Sequence, residues 1–345
     1  MSISAPIPQK LPSNQFDHFY LGGERIGILR HGPGGPMRPE EWIGSITTRF
    51  GETSMGLSKL EDGELLVTKI HENPKAWLGD EHFKQFGAST EILVKLLDPS
   101  QRLPVHFHPN RSFSRKHLGL THGKTEAWII LEAPIGAQVG LGFSKSISKM
   151  EISKLVQEKN SDALLNLLKK FTVKTGDSIL VPAGVPHAID AGIFLLELQE
   201  PTDLSALLEW NDFAVDGVKD GHLNLGFDCV LDALRYTPLT PEEIKNIIIS
   251  RDDFGSKDEA LFSEAAMPYF RADYLSGGDR VIESGFSILL VLNGEGKIRF
   301  LNSQDMPVVK GDAVVIPANA GEWALEKASG IVSRPPLPKF ANLAE

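Results

Sequence analysis

Two histidines one residue apart, in His106-Phe107-His108, are the first residues along the chain whose types and spacing could do chemistry together. Side chains at i and i+2 of a strand point to one face, so both imidazoles aim into the same side of a sheet. Glu126 opens a strand-like run at 127–131, and His187 follows the turn Pro182-Ala183-Gly184-Val185-Pro186. Three neutral nitrogens and one carboxylate suit one divalent metal ion and leave room for a water or a substrate. Taken singly, each residue has an ordinary reading. A His-x-His pair can sit without a ligand, and an isolated Glu or His is most often a surface or capping residue. The order and spacing of all four together make His106, His108, Glu126 and His187 the expected metal ligands.

Such ligands need a rigid frame, and the sequence describes one. Glycine and proline punctuate short runs rich in Val, Ile and Leu at 91–97, 127–131, 178–181, 192–198, 287–292 and 313–316. Short β-rich runs between turn signals predict a sandwich or barrel. Residues 145–171 read differently: Ile152, Leu155, Val156, Leu164, Leu165, Leu167 and Leu168 fall at helical spacing, which predicts a helical insertion among the strands. Thr240-Pro241-Glu242-Glu243 opens a further helix, with a capping Thr, Pro in the first turn and acids beside it.

The chain also repeats itself. Gly176-Asp177-Ser178-Ile179-Leu180-Val181-Pro182-Ala183 recurs as Gly311-Asp312-Ala313-Val314-Val315-Ile316-Pro317-Ala318. A Gly-Asp turn, an apolar strand and Pro-Ala form one structural unit used twice. Two small barrels of one kind are expected, residues 1–220 and 221–345. Counting from the glycine, His187 of the first copy falls opposite Glu322 of the second, and the second half has no His-x-His. The first barrel is expected to carry the chemistry and the second to be degenerate.

Composition narrows the partners. The chain has 345 residues and a net charge of -10, which argues against nucleic acid or an anionic membrane surface. One cysteine, Cys229, rules out a disulfide framework within the chain and is expected to be a packed thiol in a reducing compartment. No apolar run reaches the roughly 20 residues of a membrane span, and residues 1–10 show no basic-then-apolar leader. The expectation is a cytoplasmic protein whose partner is a small molecule.

The ligand order His-x-His, Glu, His resembles that of the cupins. More closely, the chain resembles the type I mannose-6-phosphate isomerases in their short bacterial form, over about 41–210. The pieces that carry this are Glu41-Trp42-Ile43-Gly44-Ser45, Leu93-Val94-Lys95-Leu96-Leu97-Asp98, His106-Phe107-His108-Pro109, Gly123-Lys124-Thr125-Glu126-Ala127-Trp128, Pro182-Ala183-Gly184-Val185-Pro186-His187-Ala188 and Leu195-Leu196-Glu197-Leu198-Gln199. The resemblance implies an all-β-dominated chain of two cupin (jelly-roll) barrels. It also implies a zinc site held by His106, His108, Glu126 and His187, with Mn, Fe, Co or Ni suited to the same donors. The family has glutamine where His106 stands, and a Tyr-and-Arg-bearing stretch where Thr202 to Trp210 carries neither.

The implied activity is interconversion of mannose 6-phosphate and fructose 6-phosphate, or of a close sugar or sugar phosphate, through a cis-enediol. Such a reaction needs a Lewis acid on the substrate oxygens and a group that carries the proton. Lys124 matches the family's active-site lysine and lies two residues from Glu126, on the same face. Arg111 stands near the family's basic position after His-Pro and, with Arg115 and Lys116, could grip a phosphate. Two alternatives use the same residues: a cupin dioxygenase with a three-His, one-Glu site, and a non-catalytic sugar-binding relative.

Overall fold

The computed structural model describes residues 5–255, 257–301 and 304–343. Strands dominate, in three antiparallel sheets. The six-stranded sheet runs in the order Ile248–Ile249, Ser178–Val181, Glu126–Glu132, Phe194–Gln199, Leu93–Leu97, Glu40–Ile43. The five-stranded sheet runs Ala206–Leu207, His106–Phe107, His187–Ile189, Gln138–Phe143, Leu168–Thr172. Val139, Leu141 and Ile189 of the second share one apolar cluster with Trp128, Ile130 and Leu195 of the first, so the two sheets close on each other.

The seven-stranded sheet is built on two long strands, Ser287–Phe300 and Trp323–Arg334, and packs on the outer face of the six-stranded one. Alternation explains how it serves two cores. Ile288, Leu290, Val315 and Ile331 join the large cluster between barrels, while Leu289, Val291, Val314 and Val332 fill a separate small core. The six-stranded sheet is thereby covered on both faces, which accounts for unbroken buried runs such as Leu93–Leu97. Two short strands cross between the barrels: Gln9–Lys10 pairs with Ala313–Ile316, and Ile248–Ile249 pairs with Ser178–Val181.

Both copies of the repeat form the same unit. Gly176 and Gly311 adopt φ of 89° and 92°, a left-handed conformation that favours glycine. The carboxylate of the next residue then turns back on the chain: Asp177 accepts from the Lys174 N–H at 3.0 Å, and Asp312 from the Val309 N–H at 2.8 Å. Each turn leads into a four-residue buried strand, Ser178–Val181 and Ala313–Ile316.

The helical insertion forms as helices Lys149–Gln157 and Ser161–Leu167, and the last residues of the predicted span become the strand Leu168–Thr172. Its buried residues Ile152, Val156 and Leu164 pack with Val105 and Phe107. Those two alternate with His106 and His108, so the insertion covers the back of the sheet and not the histidine side. Helix Pro241–Ile247 begins at the expected cap Thr240, which also forms a capping box with Glu243. Among the described residues no helix is long and apolar enough to cross a membrane.

Candidate metal centre and its cavity

The four sequence-predicted ligands meet between the five- and six-stranded sheets. His106 and His187 are register partners on neighbouring strands, His108 follows at the end of its strand, and Glu126 faces them from the opposite sheet. One ligand atom from each histidine lies within 4.8 Å of the others. His108 Nε2 is 3.0 Å from Glu126 Oε2, and His187 Nε2 is 3.3 Å from Glu126 Oε1. All four side chains are buried.

The histidine tautomers follow from their backbone partners. Nδ1 of His106 donates to Pro104 O at 2.8 Å, that of His108 to Leu204 O at 2.6 Å, and that of His187 to Val185 O at 2.9 Å. A carbonyl can only accept, so the proton sits on Nδ1 and the Nε2 lone pair is left facing the cluster. Burial, then the neighbouring histidines, push the His106 imidazole well below its ordinary range, while burial and Lys124 lower His108 to about 3. Burial alone would raise the Glu126 carboxyl; Lys124 and His108 outweigh it and hold the group ionised. His108 Nε2, His187 Nε2 and Glu126 Oε2 are buried without a hydrogen-bond partner of acceptable geometry. Buried polar atoms are rarely left so. Three imidazoles oriented from behind by backbone carbonyls, with one carboxylate facing them beside Lys124, fit a divalent cation.

A brace holds Lys124 and Glu126 in place. Glu200, fully buried, accepts from the Thr125 N–H at 2.8 Å and from the Arg111 guanidinium. Lys124 N–H donates to Pro109 O at 3.0 Å. The Lys124 ammonium lies 3.1 Å from Glu126 Oε2, on the metal side as the spacing predicts. Arg111 is placed differently from the sequence expectation. Its guanidinium points at Glu200 and lies over the Tyr269 ring at 5.6 Å, and it does not line the cavity beside the histidines. Arg115 and Lys116 are exposed on the following helix. His122 contacts Glu91 at 2.9 Å, and His117 lies 3.5 Å from the half-buried Cys229 sulfur.

The cavity holds charged residues that the motif reading passed over. His106 and Lys124 line it together with His18, Tyr20, Glu40, Arg49, Lys95, Glu197 and Asp203, with about 90 Å³ open to water. Lys95 is held over the Trp42 ring at 4.5 Å, with Glu40, Asp203 and Glu197 at 3.4, 3.6 and 3.7 Å. Burial alone would discharge it, but Glu40 and then Asp203 raise its affinity for the proton. The Glu40 carboxyl, raised by burial but held down overall by His18, Lys95, Tyr20 and Trp42, stays ionised; it accepts from Tyr20 at 2.6 Å. Burial, then the Glu126 charge, push the Glu197 carboxyl up. Lys95 does not reverse this, because its charge is shared with closer carboxylates. A signal was present: Lys95 and Glu197 interrupt otherwise apolar runs, and they are register partners.

Two facing sheets with four side chains converging between them form a cupin-like frame suited to a metal ion, and comparison with known proteins shows what the chain resembles. The chain is 26% identical over 307 residues to mannose-6-phosphate isomerase ManA of Bacillus subtilis, covering 83% of this chain and 92% of that protein. It is 28% identical to the mannose-6-phosphate isomerase of Streptococcus mutans, covering 71% and 75%. No protein-family model matches. Among solved structures, mannose 6-phosphate isomerase from Bacillus subtilis superposes with a TM-score of 0.69 at 21% identity, covering 95% of this chain and 100% of that one. A mutant of phosphomannose isomerase from Salmonella typhimurium gives 0.73 at 15%, covering 96% and 100%. The chain is thus similar over most of its length to mannose-6-phosphate isomerases.

Proposed function

We propose that the protein is an aldose–ketose isomerase that interconverts mannose 6-phosphate and fructose 6-phosphate, with His106, His108, Glu126 and His187 holding one zinc ion. The observation that carries this is the convergence of three backbone-oriented imidazoles and one carboxylate beside a charge-lined cavity that His106 and Lys124 border. The names of the relatives favour isomerisation over the dioxygenase and binding-protein alternatives. Every residue lining that cavity falls within 18–207, which supports residues 1–220 as the working barrel and 221–345 as its degenerate partner.

A bound divalent ion supplies Lewis acidity to the substrate carbonyl and hydroxyl oxygens. The chain's own groups do the rest. Lys124, directed at the same side of Glu126, is placed to pair with an enediolate or to carry its proton at Nζ. Glu197, across the cavity, is a carboxyl whose proton affinity is raised by burial and then by the Glu126 charge. Lys95 and Glu40 stay ionised and fix the field around both.

The test is turnover of mannose 6-phosphate by protein stripped of metal and reloaded with Zn, Mn, Co or Ni, beside free mannose. Chelation-sensitive interconversion of the phosphorylated pair supports the reading. Absence of sugar turnover with every metal would rule it out.

A further inference from the structure

We propose that Arg49 is the anion-binding residue of this site and that it recognises the phosphate monoester of the sugar. The proposal rests on the phosphorylated-sugar reading above and deepens it.

Three cations line the cavity: Lys95, Lys124 and Arg49. Two are already matched to carboxylates. Lys95 lies among Glu40, Asp203 and Glu197, and Lys124 faces Glu126. Arg49 differs. Among the described residues no carboxylate pairs with its guanidinium. Its side-chain contacts are the Asp17 carbonyl at 3.3 Å and the Met55 sulfur at 3.7 Å, both from Nη1. Nε and Nη2 therefore retain their donors. A guanidinium with free donors matches the oxygens of a phosphate two at a time.

Position supports the same role. Arg49 and Asp203 also line a second, more open cavity of about 390 Å³, with Thr47, Thr48, Phe50, Gly51, His122 and Thr202 around it. Arg49 thus stands where the closed chamber at the histidines meets the outer one. A sugar phosphate has two ends with opposite needs: the carbonyl end requires the metal side, and the dianion requires a cation with unspent charge. The loop that bears Arg49 is fixed. Arg49 N–H donates to Met55 O at 2.9 Å, and the Phe50 N–H donates to Asp203 Oδ2 at 3.2 Å. Asp203 does not cancel the arginine, because its carboxylate is taken up by that N–H and by Lys95. The Asp17 carboxylate is likewise turned away, accepting from Arg38 at 3.1 Å.

The test measures mannose 6-phosphate and inorganic phosphate binding by calorimetry, and turnover, for the metal-loaded wild type, R49Q and R49K. R49Q is expected to weaken binding of both ligands and raise KM for mannose 6-phosphate by roughly ten- to a hundredfold, the loss typical of hydrogen bonds to a charged group. R49K, which keeps the charge without the fork, is expected to fall between. Thermal midpoints matching the wild type exclude a folding defect. Equal affinity for mannose 6-phosphate in wild type and R49Q, or binding by neither, overturns the proposal. Turnover by the wild type judges the isomerase reading separately: a protein that binds both anions through Arg49 without isomerising would retain the anion site and lose the function.

Discussion

The two barrels carry the same turn and strand with opposite contents. At Gly176 and Gly311 the backbone conformation, the aspartate that ties it and the buried strand that follows agree in detail. After the first copy the chain delivers His187 to a buried cluster. After the second it delivers Glu322 to the surface, followed by the buried Trp323 in a small apolar core. The backbone plan is therefore indifferent to chemistry. What makes a centre in the first barrel is a set of polar residues on the inward face of sheets that the second barrel fills with Leu, Val and Ile.

The sharpest way to break this comparison is at the matched pair. H187A is expected to lose metal and to cut turnover by at least ~10³-fold, since Lewis-acid stabilisation contributes several kcal/mol. E322A is expected to leave both unchanged. Metal content and kcat on the same preparations decide it, and an equal effect of the two substitutions would dissolve the distinction.

Next in size is the brace. R111A strands the fully buried Glu200 carboxylate, and removing one partner of a buried pair costs about 3–5 kcal/mol. A large fall in the unfolding midpoint is expected. R49Q is expected to show the reverse profile, with binding lost and stability kept. If R111A instead raises KM without changing stability, the phosphate grip belongs to Arg111 as the sequence suggested.

The turns themselves should respond alike in kind. G176A and G311A both force a side chain into a left-handed conformation, costing about 1–3 kcal/mol each. G311A is expected to cost more, because its Cβ would meet the Leu29 carbonyl closely, whereas that of Gly176 meets Asp253 at 2.8 Å. Chemical denaturation ranks the two.

The smallest effect lies outside both barrels' cores. Arg235, and then the Thr240 N–H, lower the Glu243 carboxyl from 4.5 to about 2. A carboxyl lowered on folding stabilises above its unfolded value, and that contribution is lost as pH falls from 4.5 toward 2. Because Glu243 is largely exposed, solvent screening keeps the contribution under ~1 kcal/mol. E243Q should flatten the stability profile in that window and leave neutral pH little changed.

Much of this was legible in the sequence because it depended on local spacing. His-x-His gives one strand face, the Gly-Asp repeat gives two copies of one turn, and Thr240-Pro241-Glu242-Glu243 gives a capped helix. The charged wall was harder to read. Lys95, Glu197 and Glu40 sit in separate strands, and only register places them across one cavity from Tyr20 and Asp203. Arg111 shows the converse. Its sequence neighbourhood suggested a phosphate grip, yet its direction is set by Glu200, 89 residues away. Arg49 carried no motif at all, and what distinguishes it is the lack of a carboxylate partner among the described residues, a property that three-dimensional pairing alone reveals.

Zinc titrated into stripped protein, with bound metal and mannose 6-phosphate turnover followed in the same samples, tests whether the four-residue cluster holds the working ion. Both are expected to rise together and saturate at one ion per chain in the wild type, and neither to rise in H106A or H187A. Turnover that persists without metal, or one tightly bound ion in H187A, would contradict it.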